Sequence, residues 1–249
     1  MDKRKKLTTI LKLLNKAYGR PRPFRATDPV DELVRTVLSQ NTNDRNSLAA
    51  FAVLKRHFRR WDALIKADTR RIARLIRHAG LANIKAARIK EILLEIRRRE
   101  GRITLARLKN ADVGKGLGYL RSLKGVGPKT AACVLLFSFH KPVMPVDTHI
   151  FRVAKRLGLI GPKTGIEEAH QALTDMSTGG KIPRCGLLRK PCSGSSSYSS
   201  TENLIYNLHL GIIEHGRRTC KAQNPRCGFC ALYNLCGFED KRSYKGKAN

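Results

Sequence analysis

Four cysteines stand between positions 220 and 236, at Cys220, Cys227, Cys230 and Cys236, a C-x6-C-x2-C-x5-C spacing. Four thiolates so close can enclose a Zn2+ ion or a [4Fe–4S] cluster, and softness alone does not choose between them. A second feature is Leu123-Lys-Gly-Val-Gly-Pro-Lys-Thr130. Gly125 and Gly127 allow a tight turn about Val126 with backbone N–H groups facing outward. Pro128 then opens a helix whose free amides and positive dipole end add to the same side. Such a turn holds an anion without regard to sequence, as a phosphate backbone requires. Lys129 follows in the first turn of that helix. Dipole and neighbouring cations there disfavour its ammonium form, and a neutral amine can attack carbon. On the residues alone Lys129 is a phosphate contact or a nucleophile.

The elements that must position these groups read as helices. Leu7, Ile10, Leu11 and Leu14 mark the apolar face of a basic first helix, broken by Arg20-Pro-Arg-Pro-Phe-Arg25. Thr27-Asp28-Pro29 reads as a cap with proline in the first turn, ahead of Val30, Leu33, Val34, Val37 and Leu38. Asp68 or Thr69 caps a helix with Ile72, Leu75 and Ile76 on one face and Gly80 as its stop. Ile89, Ile92, Leu93 and Ile96 define another, ending by Gly101. Asp147 reads as the N-cap of a helix with Ile150, Val153, Ala154 and Leu157 on one side. The alternation of a strand appears nowhere, so the fold class is all-α. Residues 179–201 have loop composition with a Ser-rich end and read as a surface insertion carrying idle thiols at Cys185 and Cys192. Cys133, on a buried helix, reads as a small core residue.

Charge narrows the partner. In 249 residues, 50 Lys and Arg against 19 Asp and Glu leave a net charge of +31, on a chain that is 41% hydrophobic and therefore folded. A folded body repelling itself this strongly points to a polyphosphate partner. The longest apolar-rich run, Ala131 to Phe139, is too short to cross a bilayer, and Lys12 and Lys16 interrupt the stretch after the basic start, so no secretory signal is expected. An odd count of seven cysteines argues against a secreted disulfide framework and for a reduced compartment.

The hairpin, Pro145-Val-Asp-Thr-His-Ile-Phe-Arg-Val153 and the cysteine spacing together resemble the endonuclease III family of helix-hairpin-helix DNA glycosylases, over residues from about 28 to 240. The resemblance implies two helical lobes with a DNA-binding cleft between them: 28–140 with the hairpin, and 1–27 plus 141–240 with a [4Fe–4S] cluster on the four cysteines, followed by a basic tail, 241–249. It makes Lys129 the nucleophile that attacks C1′ of a damaged nucleotide, forms a Schiff base and permits β-elimination. It makes Asp147 the carboxylate that stabilises charge developing on the sugar. Reach allows them to meet: a helix over 128–139 travels ~15–18 Å at 1.5 Å per residue, and the extended link 140–147 can return about 26 Å. A target base must be flipped out and its place filled. Leu81 in Gly80-Leu-Ala-Asn-Ile-Lys-Ala86 matches the family's apolar wedge, with simple core as its other reading. Gln40, Asn41 and Thr42 lie where the family places a polar filler, although Ser39-Gln-Asn-Thr-Asn-Asp44 departs from its usual wording. Lys221 and Arg226 can touch backbone phosphate, as can the hairpin through Gly125, Val126, Gly127 and Thr130.

The expectation is thus a bifunctional DNA glycosylase and abasic-site lyase acting on oxidised pyrimidines in duplex DNA, a cytoplasmic, nucleoid-associated monomer with no membrane contact. The rival of the same chemistry is a glycosylase for T or U opposite G, or for another damaged base. The rival of another class is a non-catalytic iron–sulfur DNA-binding protein.

Overall fold

A computed structural model describes residues 3–23, 25–180 and 200–244. Cys185, Cys192, most of the expected insertion and the tail from 245 onward lie outside the described residues. Eleven α-helices carry the described chain: α1 (Lys3–Tyr18), α2 (Pro29–Ser39), α3 (Asp44–His57), α4 (Trp61–Lys66), α5 (Thr69–Leu75), α6 (Ala82–Glu100), α7 (Val113–Arg121), α8 (Pro128–Phe139), α9 (Thr148–Arg156), α10 (Ile166–Thr178) and α11 (Ser200–Arg218). Among the described residues there is no strand, and no helix is long and apolar enough to cross a membrane. The chain divides into two compact units, one of residues 26–140 and one of 1–25 with 141–249.

In the 26–140 unit, α2 and α8 are the inner pair. Asp28 accepts from the Val30 and Asp31 amides at 3.0 and 2.9 Å, with Pro29 at the first helical position, so α2 starts where local chemistry dictates. Every residue of α8 from Thr130 to Leu136 is buried. Each large apolar side chain so buried contributes roughly 1.5–3 kcal/mol, which makes α8 an anchor of this unit and of the hairpin that leads into it. α7 lies close on α8: a Cβ added to Gly116 would stand 2.9 Å from a Leu135 methyl, a gap only glycine fits without a shift. α5 ends at Leu75, and a short 3-10 turn, Arg77–Ala79, precedes Gly80. Asp68, rather than Thr69, supplies the α5 cap.

In the other unit α1 packs on α11, with Leu7, Ile10 and Leu14 of the first and Ile205, Leu208 and Ile212 of the second buried, while Leu11 stays half-exposed. The link 141–146 is buried throughout and its backbone is held by side chains: Thr174 accepts from the Met144 amide at 2.9 Å, His170 from the Val146 amide at 3.3 Å, and His209 bonds the Pro145 carbonyl at 3.0 Å. An irregular segment can be buried only with its polar groups satisfied. These bonds carry the chain to Asp147 in a fixed register.

Candidate functional site

The hairpin joins α7 to α8 through residues 122–127. The Val126 amide donates to the Leu123 carbonyl at 3.0 Å and its side chain is buried, so Val126 anchors the turn and does not offer its own N–H outward as expected. The donors left on this edge are Gly125 and Gly127, whose N–H groups have no acceptor among the described residues. The two glycines serve different ends. Gly125 has φ +85°, which a side chain would resist. Gly127 has ordinary extended backbone and nothing within 4 Å of where a Cβ would sit, so its bareness keeps open space above the start of α8. No side chain caps α8. Open amides, a positive dipole end and room for close approach make an anion cradle.

Lys129 lies half-buried in the first turn above that cradle. Thr130, its neighbour, is buried and accepts from the Gln40 side-chain amide at 3.5 Å, so its hydroxyl faces the protein. In the same unit the carboxyl of Glu32 is buried on α2, accepting from Thr27 at 3.2 Å and Thr36 at 3.3 Å. Burial pushes this carboxyl above its ordinary value, against the pull of Arg35, the two threonines and the charge on Lys129. Sequence reasoning passed over Glu32, which reads there as one more polar residue of an amphipathic helix.

Two loops of this unit meet with strained backbones. Asn41 has φ +51° and Leu81 φ +50°, directly after Gly80 at φ +66°. The Asn41 carbonyl lies 3.9 Å from where a Gly80 Cβ would stand. Leu81 is 52% exposed and Ile84, one turn on, 53%. A leucine in left-handed backbone costs about 1–2 kcal/mol, and exposure forgoes its burial. Leu81 is therefore not core. Such outliers gather where a ligand is to be met. Thr42 is half-exposed. The filler candidates separate: Asn41 is exposed, whereas Gln40 turns inward, accepting from Arg88 at 2.8 Å and donating to Thr130. Beneath both loops Lys85, only 1% exposed, donates to the Leu38 and Ala79 carbonyls at 2.7 and 2.6 Å. It thereby ties the end of α2 to the turn before Leu81, and burial pulls its ammonium below the ordinary value.

Asp147 belongs to the other unit. It caps α9, accepting from the Ile150 amide at 2.8 Å, and its carboxylate keeps some exposure. In that unit Cys220, Cys227, Cys230 and Cys236 line one pocket whose other walls include Val153, Leu157, His215, Leu232 and Phe238. Arg156 fastens the cysteine loop to α9: it bonds the Cys220 sulfur at 3.3 Å and the Lys221 carbonyl at 2.7 Å, and stacks on Phe238. The Gly237 amide and the Cys236 thiol both donate to the Arg156 carbonyl. Burial pushes the Cys230 thiol up to about 11 and raises that of Cys227. Among the described residues no three His, Cys, Asp or Glu side chains group as a single-ion site. Four soft donors spread around one largely apolar pocket fit a cluster that takes one thiolate per iron. Lys221 and Arg226 stand exposed on the loop between the first two cysteines.

Residues 34–176 match the model of the HhH-GPD superfamily base excision DNA repair proteins. Endonuclease III of Thermotoga maritima is 35% identical over 222 residues, 89% of either chain. An Arabidopsis thaliana protein provisionally named a DNA glycosylase is 45% identical over 135 residues, or 54% of this chain; the match spans 46% of that protein, about half its length. A solved structure of a trapped covalent endonuclease III–DNA intermediate superposes with a TM-score of 0.71 at 25% identity, covering 96% of this chain and 98% of that one. With the family model matched over more than half of its length and a relative 35% identical over most of it, the chain belongs to the HhH-GPD superfamily of base excision DNA repair proteins.

Proposed function

We propose that this protein is a DNA glycosylase of the endonuclease III type that excises an oxidised pyrimidine from duplex DNA and then nicks the strand by β-elimination. The observation that carries the reading is Lys129, an amine in the first turn of α8 beside the Gly125 and Gly127 amides, with open space above Gly127. The cradle takes a backbone phosphate, and Leu81 and Asn41 enter the duplex where the flipped nucleotide leaves. The Lys129 amine bonds to C1′ as the N-glycosidic bond breaks, and the base leaves with the bonding pair and takes up a proton. Asp147 offsets the positive charge on the sugar as that bond lengthens. Ring opening converts the adduct to a protonated Schiff base. Loss of a C2′ proton then breaks the C3′–O bond and releases the phosphate, and water frees the lysine. Cys220, Cys227, Cys230 and Cys236 would hold a [4Fe–4S] cluster, which when bound fixes the 220–236 loop and with it Lys221 and Arg226. Its site of action is nucleoid DNA in the cytoplasm.

A panel of duplexes, each with one defined lesion, tests the reading. Release of thymine glycol or a similar oxidised pyrimidine with strand nicking is expected. Release of T or U opposite G alone would move the substrate class, and release of no base from any duplex would sink the glycosylase reading.

A further inference from the structure

Arg88 is a half-buried cation on α6, one turn beyond Lys85, and among the described residues no carboxylate lies within ion-pair distance of it. Its stem lies on the hairpin: a Cβ on Gly125 would stand 2.5 Å from Nε and 2.6 Å from Cδ. Its Nη1 donates to the Gln40 side-chain carbonyl at 2.8 Å, and the Gln40 amide reaches Thr130, the residue after Lys129. One side chain therefore touches the phosphate hairpin and, through Gln40, both the turn that presents Asn41 and the first turn of α8. It does so from the helix that Leu81 begins. Lys85, on the same face of that helix, ties the Leu38 and Ala79 carbonyls below. All of these residues belong to one compact unit.

We propose that Arg88 is a positioning residue that locks the Gln40–Asn41 turn to the hairpin, so that phosphate capture and the insertion of Asn41 and Leu81 occur in one fixed register. A guanidinium suits this work because its planar fork spends one arm on Gln40 while its stem stays on the glycine. The charge is spent on neutral carbonyl oxygen, which leaves Gln40 unable to turn outward as a filler. Asn41 is then the residue presented to the opposite strand. The inference rests on the glycosylase reading, because it assumes that a nucleotide is displaced.

The test uses the full chain and a duplex carrying a tetrahydrofuran abasic analogue opposite 2-aminopurine, whose fluorescence rises when the base is unstacked. With wild-type protein at saturation the signal should rise. In Arg88→Gln the rise should fall at least fivefold and the single-turnover excision rate about tenfold. Affinity for undamaged duplex and its salt dependence should stay as in wild type. Gln40→Ala should show the same loss, and the double variant no more than either alone, as expected for two groups acting as one. Arg88→Gln with a full fluorescence rise overturns the inference. So does a slope of log K against log salt lower by about 0.9, which would make Arg88 a phosphate ligand. Should Arg88→Gln melt far below wild type, Gln40→Ala, which leaves the Arg88 stem on Gly125, decides: an unchanged rise overturns the coupling. No rise in the wild type would instead sink the glycosylase reading itself.

Discussion

Two tasks fall on the carboxylate of Asp147: it caps α9 through the Ile150 amide, and in the proposed reaction it offsets charge on the sugar. Asparagine separates them, because its side-chain oxygen caps a helix about as well as aspartate does but carries no charge. Asp147→Asn should therefore fold and melt like the wild type while base release falls by about 10²-fold, the scale of losing one preorganised charge-stabilising group. Trapping on a preformed abasic site should persist in part, since no base remains to be expelled. Equal loss of both activities would assign Asp147 to a later step. At the same scale, the inward turn of Gln40 and the burial of Lys85 were not legible in the sequence. A long polar side chain shows its polarity in the sequence but not where its stem ends, so Gln40 reads there as a filler candidate and nothing marks Lys85 as buried.

Helices were legible where a cap, a stripe and a stop agreed. Asp28-Pro29 with the Val30–Leu38 face, and Ile89 to Ile96 ending at Gly101, are such cases, with Gly101 at φ +73° as the cap. α3 escaped notice because it buries only Ser47, Ala50 and Leu54 while Leu48 stays half-exposed, so its apolar residues form no single stripe. α4 is six residues long and lacks a side-chain cap bond. On α2, the buried Glu32 gives that helix a measurable pH signature. With its folded value raised above 4.5, the folded state keeps this proton to higher pH than the unfolded chain does. No penalty exists below 4.5; stability falls as pH rises from 4.5 through the folded value and is level above it. Glu32→Gln cannot ionise, so its melting temperature should match wild type at the acid end and exceed it increasingly towards neutrality. A constant difference across that range would contradict the assignment. The cysteine loop makes its own prediction: protein purified in air should be yellow-brown with iron and sulfide in near-equal amounts, and one zinc per chain without colour would remove the cluster.

At the scale of the whole molecule the surplus of +31 charges acts as a field. It speeds encounter with any phosphate backbone and makes affinity depend on salt. Log K for undamaged duplex should fall linearly with log salt, with a slope near −0.9 for each phosphate neutralised. Lys221→Ala with Arg226→Ala should lower that slope by up to about two without changing the excision rate at saturating DNA. A salt-independent K would contradict the electrostatic account. The lobes 28–140 and 1–27 plus 141–240 were expected from the family resemblance and not from composition, because the join at 141 lies in a buried extended link that composition does not mark as a boundary.

The proposed chemistry turns on the Lys129 amine as the nucleophile. Borohydride reduces a Schiff base to a stable amine, so protein mixed with duplex containing an abasic site should become covalently attached to it. Lys129→Gln keeps much of the size and the hydrogen bonding of the side chain without a nucleophilic amine, and Gly125 and Gly127 still supply the phosphate cradle. Trapping and nicking should vanish together while duplex affinity changes little. Trapping of Lys129→Gln at the wild-type rate would place the nucleophile elsewhere and leave the hairpin as a phosphate clamp alone.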